Sequence, residues 1–96
     1  MAALDNTTVM QHLKTMQQWA YESGQLSRRF RFKDFADAFG FVACAAAVQQ
    51  ELHQYGSVTQ EGPIVLVDLW TETEHGVTER DLELARQLSA RAYGAM

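Results

Sequence analysis

The sequence predicts one α+β domain over residues 1–96, with three helices packed on a four-stranded antiparallel sheet in the order α-β-β-α-β-β-α. Three observations lead there. Two strand-turn-strand patterns flank one long helical pattern, and hairpins kept together in the chain build antiparallel sheets. Capping patterns open helices near both ends of the chain. Ninety-six residues, 47% of them apolar and 21% charged, suit one small globular core.

The first helix is predicted from Thr8 with Gln11 three positions on, a capping-box pattern, followed by Val9, Leu13 and Met16 at helical spacing. Trp19-Ala20-Tyr21 begins a short strand that breaks at Ser23-Gly24, and Leu26–Phe32 returns as its hairpin partner. The basic run Arg28-Arg29-Phe30-Arg31-Phe32-Lys33 fits a strand with phenylalanines inward and arginines outward, and that alternation needs no ligand.

The long helix follows Asp34. Phe35, Phe39, Val42 and Ala46 form one stripe, and Phe41, Ala45, Val48 and Leu52 form another. Together they predict a helix buried on most of its girth, ending with Gly56 as C-terminal cap. Ser57–Gln60 is a short strand, Glu61-Gly62-Pro63 a turn, and Ile64–Trp70 a strand apolar on both faces. A strand of that kind calls for cover on both sides, which predicts a sheet extended across a dimer. Thr78 with Asp81 opens the last helix, whose inner face is Leu82, Ala85, Leu88 and Ala92.

Composition narrows the function classes. Twelve acidic against eight basic residues give a net charge of −4, the wrong sign for a nucleic-acid surface. The longest apolar run, Phe39–Val48, falls short of the ~20 residues that span a bilayer, so no membrane is expected. Neither a basic n-region nor an apolar h-region opens the chain, and Cys44 has no disulfide partner; the expectation is a cytoplasmic protein. No phosphate loop, catalytic triad or metal-ligand spacing stands out, so neither metal nor cofactor is expected. Cys44 fits a packing residue, and His12 and His75 fit the surface. His53, at a helix end, suits either a dipole partner or an acid/base group.

Four segments, Trp19, Arg29-Phe30-Arg31-Phe32-Lys33-Asp34-Phe35, Ala38-Phe39-Gly40-Phe41-Val42 and Thr78-Glu79-Arg80-Asp81-Leu82, resemble the pterin-4a-carbinolamine dehydratase family. The resemblance covers nearly the whole chain from Trp19 onward. It implies the same α+β fold, association as dimers or tetramers, and in one dimer a continuous sheet. It also implies a catalytic signature: an acidic residue on the long helix, a His-His-Pro box, an aromatic residue, a third histidine and an aspartate. Carried across between the two anchors, these positions become Gln50, then Gln54, Tyr55 and Gly56, then Gly62, Glu72 and Asp81. Only Asp81 is kept, and helix capping alone accounts for it.

The family's reaction removes a 4a-hydroxyl as water, which needs proton transfer near neutral pH. Glutamine does not titrate, and tyrosine, with a reference pKa of ~10, is a poor acid or base there. The expectation is therefore a catalytically degenerate member with no catalytic residue, leaving His53 and Glu72 as fallback acid/base groups. Degenerate members accompany Rubisco genes of α-carboxysomes, where they are described as Rubisco assembly factors. The resemblance to that branch implies a carboxysome-associated partner of Rubisco, chiefly of its large subunit, with Gln54, Tyr55, Trp70 and Glu72 as contacts. The alternatives are a divergent 4a-hydroxytetrahydrobiopterin dehydratase and a non-catalytic pterin-binding module.

Overall fold

A computed structural model describes residues 2–95. The elements are α1 (Asn6–Leu13), β1 (Ala20–Glu22), β2 (Gln25–Arg31), α2 (Phe35–Leu52), β3 (Ser57–Glu61), β4 (Ile64–Leu69), a 3₁₀ turn (Glu72–Glu74) and α3 (Glu79–Arg91). This is the predicted order of three helices and four strands. The strands lie in the order β1-β2-β4-β3, every neighbour antiparallel.

Turn chemistry fixes both hairpins. Ser23 and Gly24 join β1 to β2 with φ of 52° and 76°, the doubly left-handed pair that a type I′ turn requires. Gly62, with φ of 61°, and Pro63 join β3 to β4. The central ladder then sets Leu26 opposite Leu69, Arg28 opposite Val67 and Phe30 opposite Val65. Because side chains alternate along a strand, all of these share one face. Leu26, Phe30, Val65, Val67 and Leu69 are buried there with Val9 of α1, Phe41, Ala45 and Val48 of α2, and Leu82, Ala85 and Leu88 of α3. Phe41 sits 4.6 Å from Phe30 and 5.3 Å from Phe32, ring centre to ring centre.

Several local expectations are corrected. Asp5, not Thr8, caps α1: its Oδ1 accepts the Thr8 amide at 2.8 Å, which starts the helix earlier. Trp19 precedes β1, its ring buried 6.0 Å from Phe30 and its Nε1 donating to Ser89 Oγ at 2.8 Å. Trp70 likewise lies one residue past the end of β4. Arg28 points inward, in register with Phe30, and its guanidinium lies 4.1 Å over that ring. It donates to Ser89 Oγ at 2.9 Å, and burial pushes its pKa down. Arg29 and Arg31 face outward as predicted.

α2 also departs from expectation. The Phe41 stripe is buried, but the Phe35 stripe is not: Phe35 and Phe39 are 60% and 59% exposed and stack at 6.5 Å. The sheet and α3 cover only one side of the helix. The left-handed cap of α2 is His53, at φ 52° and ψ 40°, rather than Gly56. Gly56 serves a different need. A Cβ there would lie 2.7 Å from the Asp68 carbonyl oxygen and overlap the Leu69 side chain, so only glycine lets β3 start this close to β4. On the helix-free face, Ile64 and Leu66 are half-buried among exposed Arg29, Arg31 and Thr59. No helix among the described residues is long and apolar enough to cross a membrane.

Candidate functional site

The end of α2, the start of β3, the end of β4 and the first turn of α3 converge at one end of the sheet. Three sequence choices bring them together: His53 takes the left-handed conformation that ends α2, Gly56 permits close strand approach, and Thr78 opens α3. Gln49 ties the turn down. Its Oε1 accepts the Gly56 amide at 2.8 Å while its Nε2 donates to the Ala45 carbonyl at 3.2 Å.

The centre of the convergence is a buried polar network around Asp81, which is fully enclosed. Asp81 Oδ1 accepts Gln54 Nε2 at 2.7 Å. Its Oδ2 accepts Thr71 Oγ1 at 2.7 Å and the Thr78 amide at 2.9 Å. Gln54 Nε2 also reaches Thr71 Oγ1 at 3.0 Å, so both of its amide hydrogens have acceptors. The single Thr78 hydroxyl proton lies between Thr71 Oγ1 at 3.0 Å and Asp81 Oδ2 at 3.3 Å. Every hydrogen in this cluster is engaged, and each carboxylate oxygen has a protein donor. Such a fully satisfied network rigidifies the place where these four elements meet. Among the described residues, no imidazole hydrogen-bonds to Asp81.

Beside the network, and separate from it, lies a shallow cavity of about 250 Å³ lined by Tyr55, Gly56, Ser57, Trp70 and Glu72. Trp70 Nε1 donates to Glu72 Oε2 at 3.2 Å. Tyr55 is 62% exposed, Trp70 is half-buried and Glu72 is exposed.

The residues singled out from the sequence therefore divide. Gln54 and Asp81 meet inside, while Tyr55, Gly56, Trp70 and Glu72 meet at the surface. Gly62 turns at the opposite end of β3, and Gln50 is exposed on α2. His53 is exposed, and its carbonyl and that of Leu52 face Arg80 Nη2 at 3.4 and 2.6 Å. His75 is the left-handed cap of the 3₁₀ turn. His12 packs between helices, its Nδ1 3.2 Å from Arg86 Nη2. Thr71 of the network and Gln49, which ties down the Gly56 turn, carry no sequence signal. Thr78 was legible only as a cap. Among the described residues no group of three or more His, Cys, Asp or Glu could hold a metal ion.

The family described as pterin 4 alpha carbinolamine dehydratase matches residues 2–91 of the chain. A protein of Solibacter usitatus with the provisional name pterin-4-alpha-carbinolamine dehydratase is 31% identical over 91 residues, covering 95% of this chain and 96% of its own. One from Brucella ovis with the same provisional name is 35% identical over 91 residues, covering 93% and 94%. Among solved structures, a transcriptional coactivator/pterin dehydratase from Brucella melitensis superposes with a TM-score of 0.90 at 34% identity, over 94% of this chain and 98% of that one. A pterin dehydratase-like protein identified as a RuBisCO assembly factor in the alpha-carboxysome shares the fold, with a TM-score of 0.66 at 22% identity over 79% and 88%.

Proposed function

The chain belongs to the pterin 4 alpha carbinolamine dehydratase family, and from that premise we propose that it is a non-catalytic member which assists RuBisCO assembly in the α-carboxysome. The observation that carries the first half is the Asp81 network. The one signature residue kept from the family is fully buried and hydrogen-bonded by Gln54, Thr71 and Thr78 rather than by a histidine. Without imidazole at positions 54, 55 and 72, acid/base help worth ~10²–10⁴ in rate per group is missing. The second half is supported by the fold shared with a RuBisCO assembly factor. The large subunit is the partner in this reading, met in the cytoplasm or at the carboxysome.

Self-association belongs to the same proposal. The stacked Phe35–Phe39 pair on α2 and the half-covered Ile64 and Leu66 are apolar surface that a second copy would bury. The test of the assembly role is co-expression of Rubisco large and small subunits with and without this protein. A higher yield of assembled soluble enzyme is expected, and an unchanged yield refutes the role.

A second reading is a divergent 4a-hydroxytetrahydrobiopterin dehydratase. It is favoured by the names carried by relatives at 31–35% identity. A carbinolamine dehydration assay decides it. Turnover above the uncatalysed rate that falls in His53→Ala or Glu72→Gln would establish an enzyme. A pterin-binding module without turnover would appear as heat of binding with a reduced pterin.

A further inference from the structure

Resting on the reading of the Tyr55–Trp70–Glu72 surface as a partner contact, we propose that its cavity receives an arginine side chain of a protein partner. The charge comes first. Glu72 Oε2 is held by the Trp70 indole N–H at 3.2 Å, whereas Glu72 Oε1 has no hydrogen bond or ion pair among the described residues. The carboxylate is thus fixed at one oxygen and open at the other.

Among the described residues no cation lines the cavity. Arg80 is turned to the carbonyls of Leu52 and His53, so it does not neutralise Glu72. The chain as a whole carries −4, which favours a cationic visitor.

Shape and chemistry then select the cation. The other lining residues are two aromatics, Trp70 and Tyr55, with Gly56 and Ser57. A planar guanidinium stacks on aromatic faces and gives directed hydrogen bonds to a carboxylate, whereas a lysine ammonium is a compact, strongly hydrated point charge. About 250 Å³ holds a side-chain head but not a folded segment. Gly56, required by strand packing, also keeps one wall free of a side chain.

The two tryptophans make the test direct. The Trp19 indole N–H is tied to Ser89 in the core and that of Trp70 to Glu72 in the cavity, giving two indole resonances in a ¹H–¹⁵N spectrum. The full chain is titrated at low salt with N-acetyl-arginine methylamide, and separately with the neutral citrulline analogue. The Trp70 indole is expected to shift saturably with the arginine probe while Trp19 stays. Citrulline should bind about fivefold more weakly, and Glu72→Gln should weaken the arginine probe by a similar factor. Glu72 is exposed, so that variant should keep the wild-type melting temperature.

No saturable shift, an equal response to citrulline, or an unchanged affinity in Glu72→Gln overturns the proposal. So does a shift with 6-methyltetrahydropterin and none with the arginine probe, which would assign the cavity to a heterocycle. The two readings fail separately. If the arginine probe binds as expected but co-expression leaves Rubisco yield unchanged, the assembly role falls and the arginine cavity stands. If Rubisco yield rises equally with Glu72→Gln, the cavity is not the contact and the assembly role stands.

Discussion

Gln54 Nε2 donates to Asp81 Oδ1 at 2.7 Å and so clamps the segment after α2 to the first turn of α3. Both partners are buried, so breaking the bond leaves a desolvated carboxylate short of a donor. Gln54→Ala is expected to lower stability by about 1–3 kcal/mol. Urea denaturation followed by circular dichroism measures it, and a loss under 0.5 kcal/mol would mean the clamp contributes nothing.

Gly56→Ala tests the close approach of β3 to β4. The added methyl meets the Asp68 carbonyl and Leu69, and relief requires moving backbone rather than a side-chain end. Overpacking of this kind costs about 1–3 kcal/mol, expected as a lower thermal midpoint. A midpoint equal to wild type would show that the strands can separate freely.

Much of the fold was legible because hairpins and helices announce themselves locally. Ser23-Gly24, Gly62-Pro63 and the Thr78–Asp81 pair name their own turns and cap. What the sequence hides is choice between equivalent signals. Asp5 and Thr8 both suit a helix start, and only the geometry shows Asp5 accepting the Thr8 amide. The Phe35 and Phe41 stripes are equally apolar, and which one meets the sheet depends on how the helix is rotated. At the site, Gln54 was grouped with Tyr55, Trp70 and Glu72 as a surface contact, but it is buried against Asp81; Thr71 was not legible at all, since a threonine just after a strand has no pattern that says its hydroxyl turns inward.

Ser89→Ala should be more harmful than a surface serine suggests. Ser89 Oγ accepts both the Trp19 indole at 2.8 Å and Arg28 at 2.9 Å. Losing it leaves a buried indole N–H without a partner, a cost of about 1–3 kcal/mol by denaturant titration. Arg28→Ala, which removes the cation over Phe30, should cost about 1–2 kcal/mol in the same measurement.

Phe35→Ser with Phe39→Ser tests self-association. Both rings are exposed in the single chain, so monomer stability should change by no more than about 0.5 kcal/mol. Sedimentation velocity should show the variant at lower mass than wild type. Equal masses would place any interface elsewhere.

Acid should loosen α1. The Thr8 backbone amide holds the Asp5 carboxyl below its usual range. A depressed carboxylate stabilises above its unfolded pKa of ~3.9, and that contribution is lost as pH falls through the lower folded value. Asp5→Asn keeps an acceptor without the titration, so amide exchange in α1 should become less acid-sensitive than in wild type. Equal sensitivity would remove Asp5 as the cause.

The strand order has a kinetic consequence. Both hairpins, β1–β2 and β3–β4, close across two-residue turns, whereas the central β2–β4 ladder joins them across all of α2 and β3. Loop closure favours the local pairs, so the two hairpins are expected to form before they dock side by side along the β2–β4 ladder. Substitutions in Ser23-Gly24 should therefore slow folding. Those along Phe30–Val65 should act mainly by speeding unfolding.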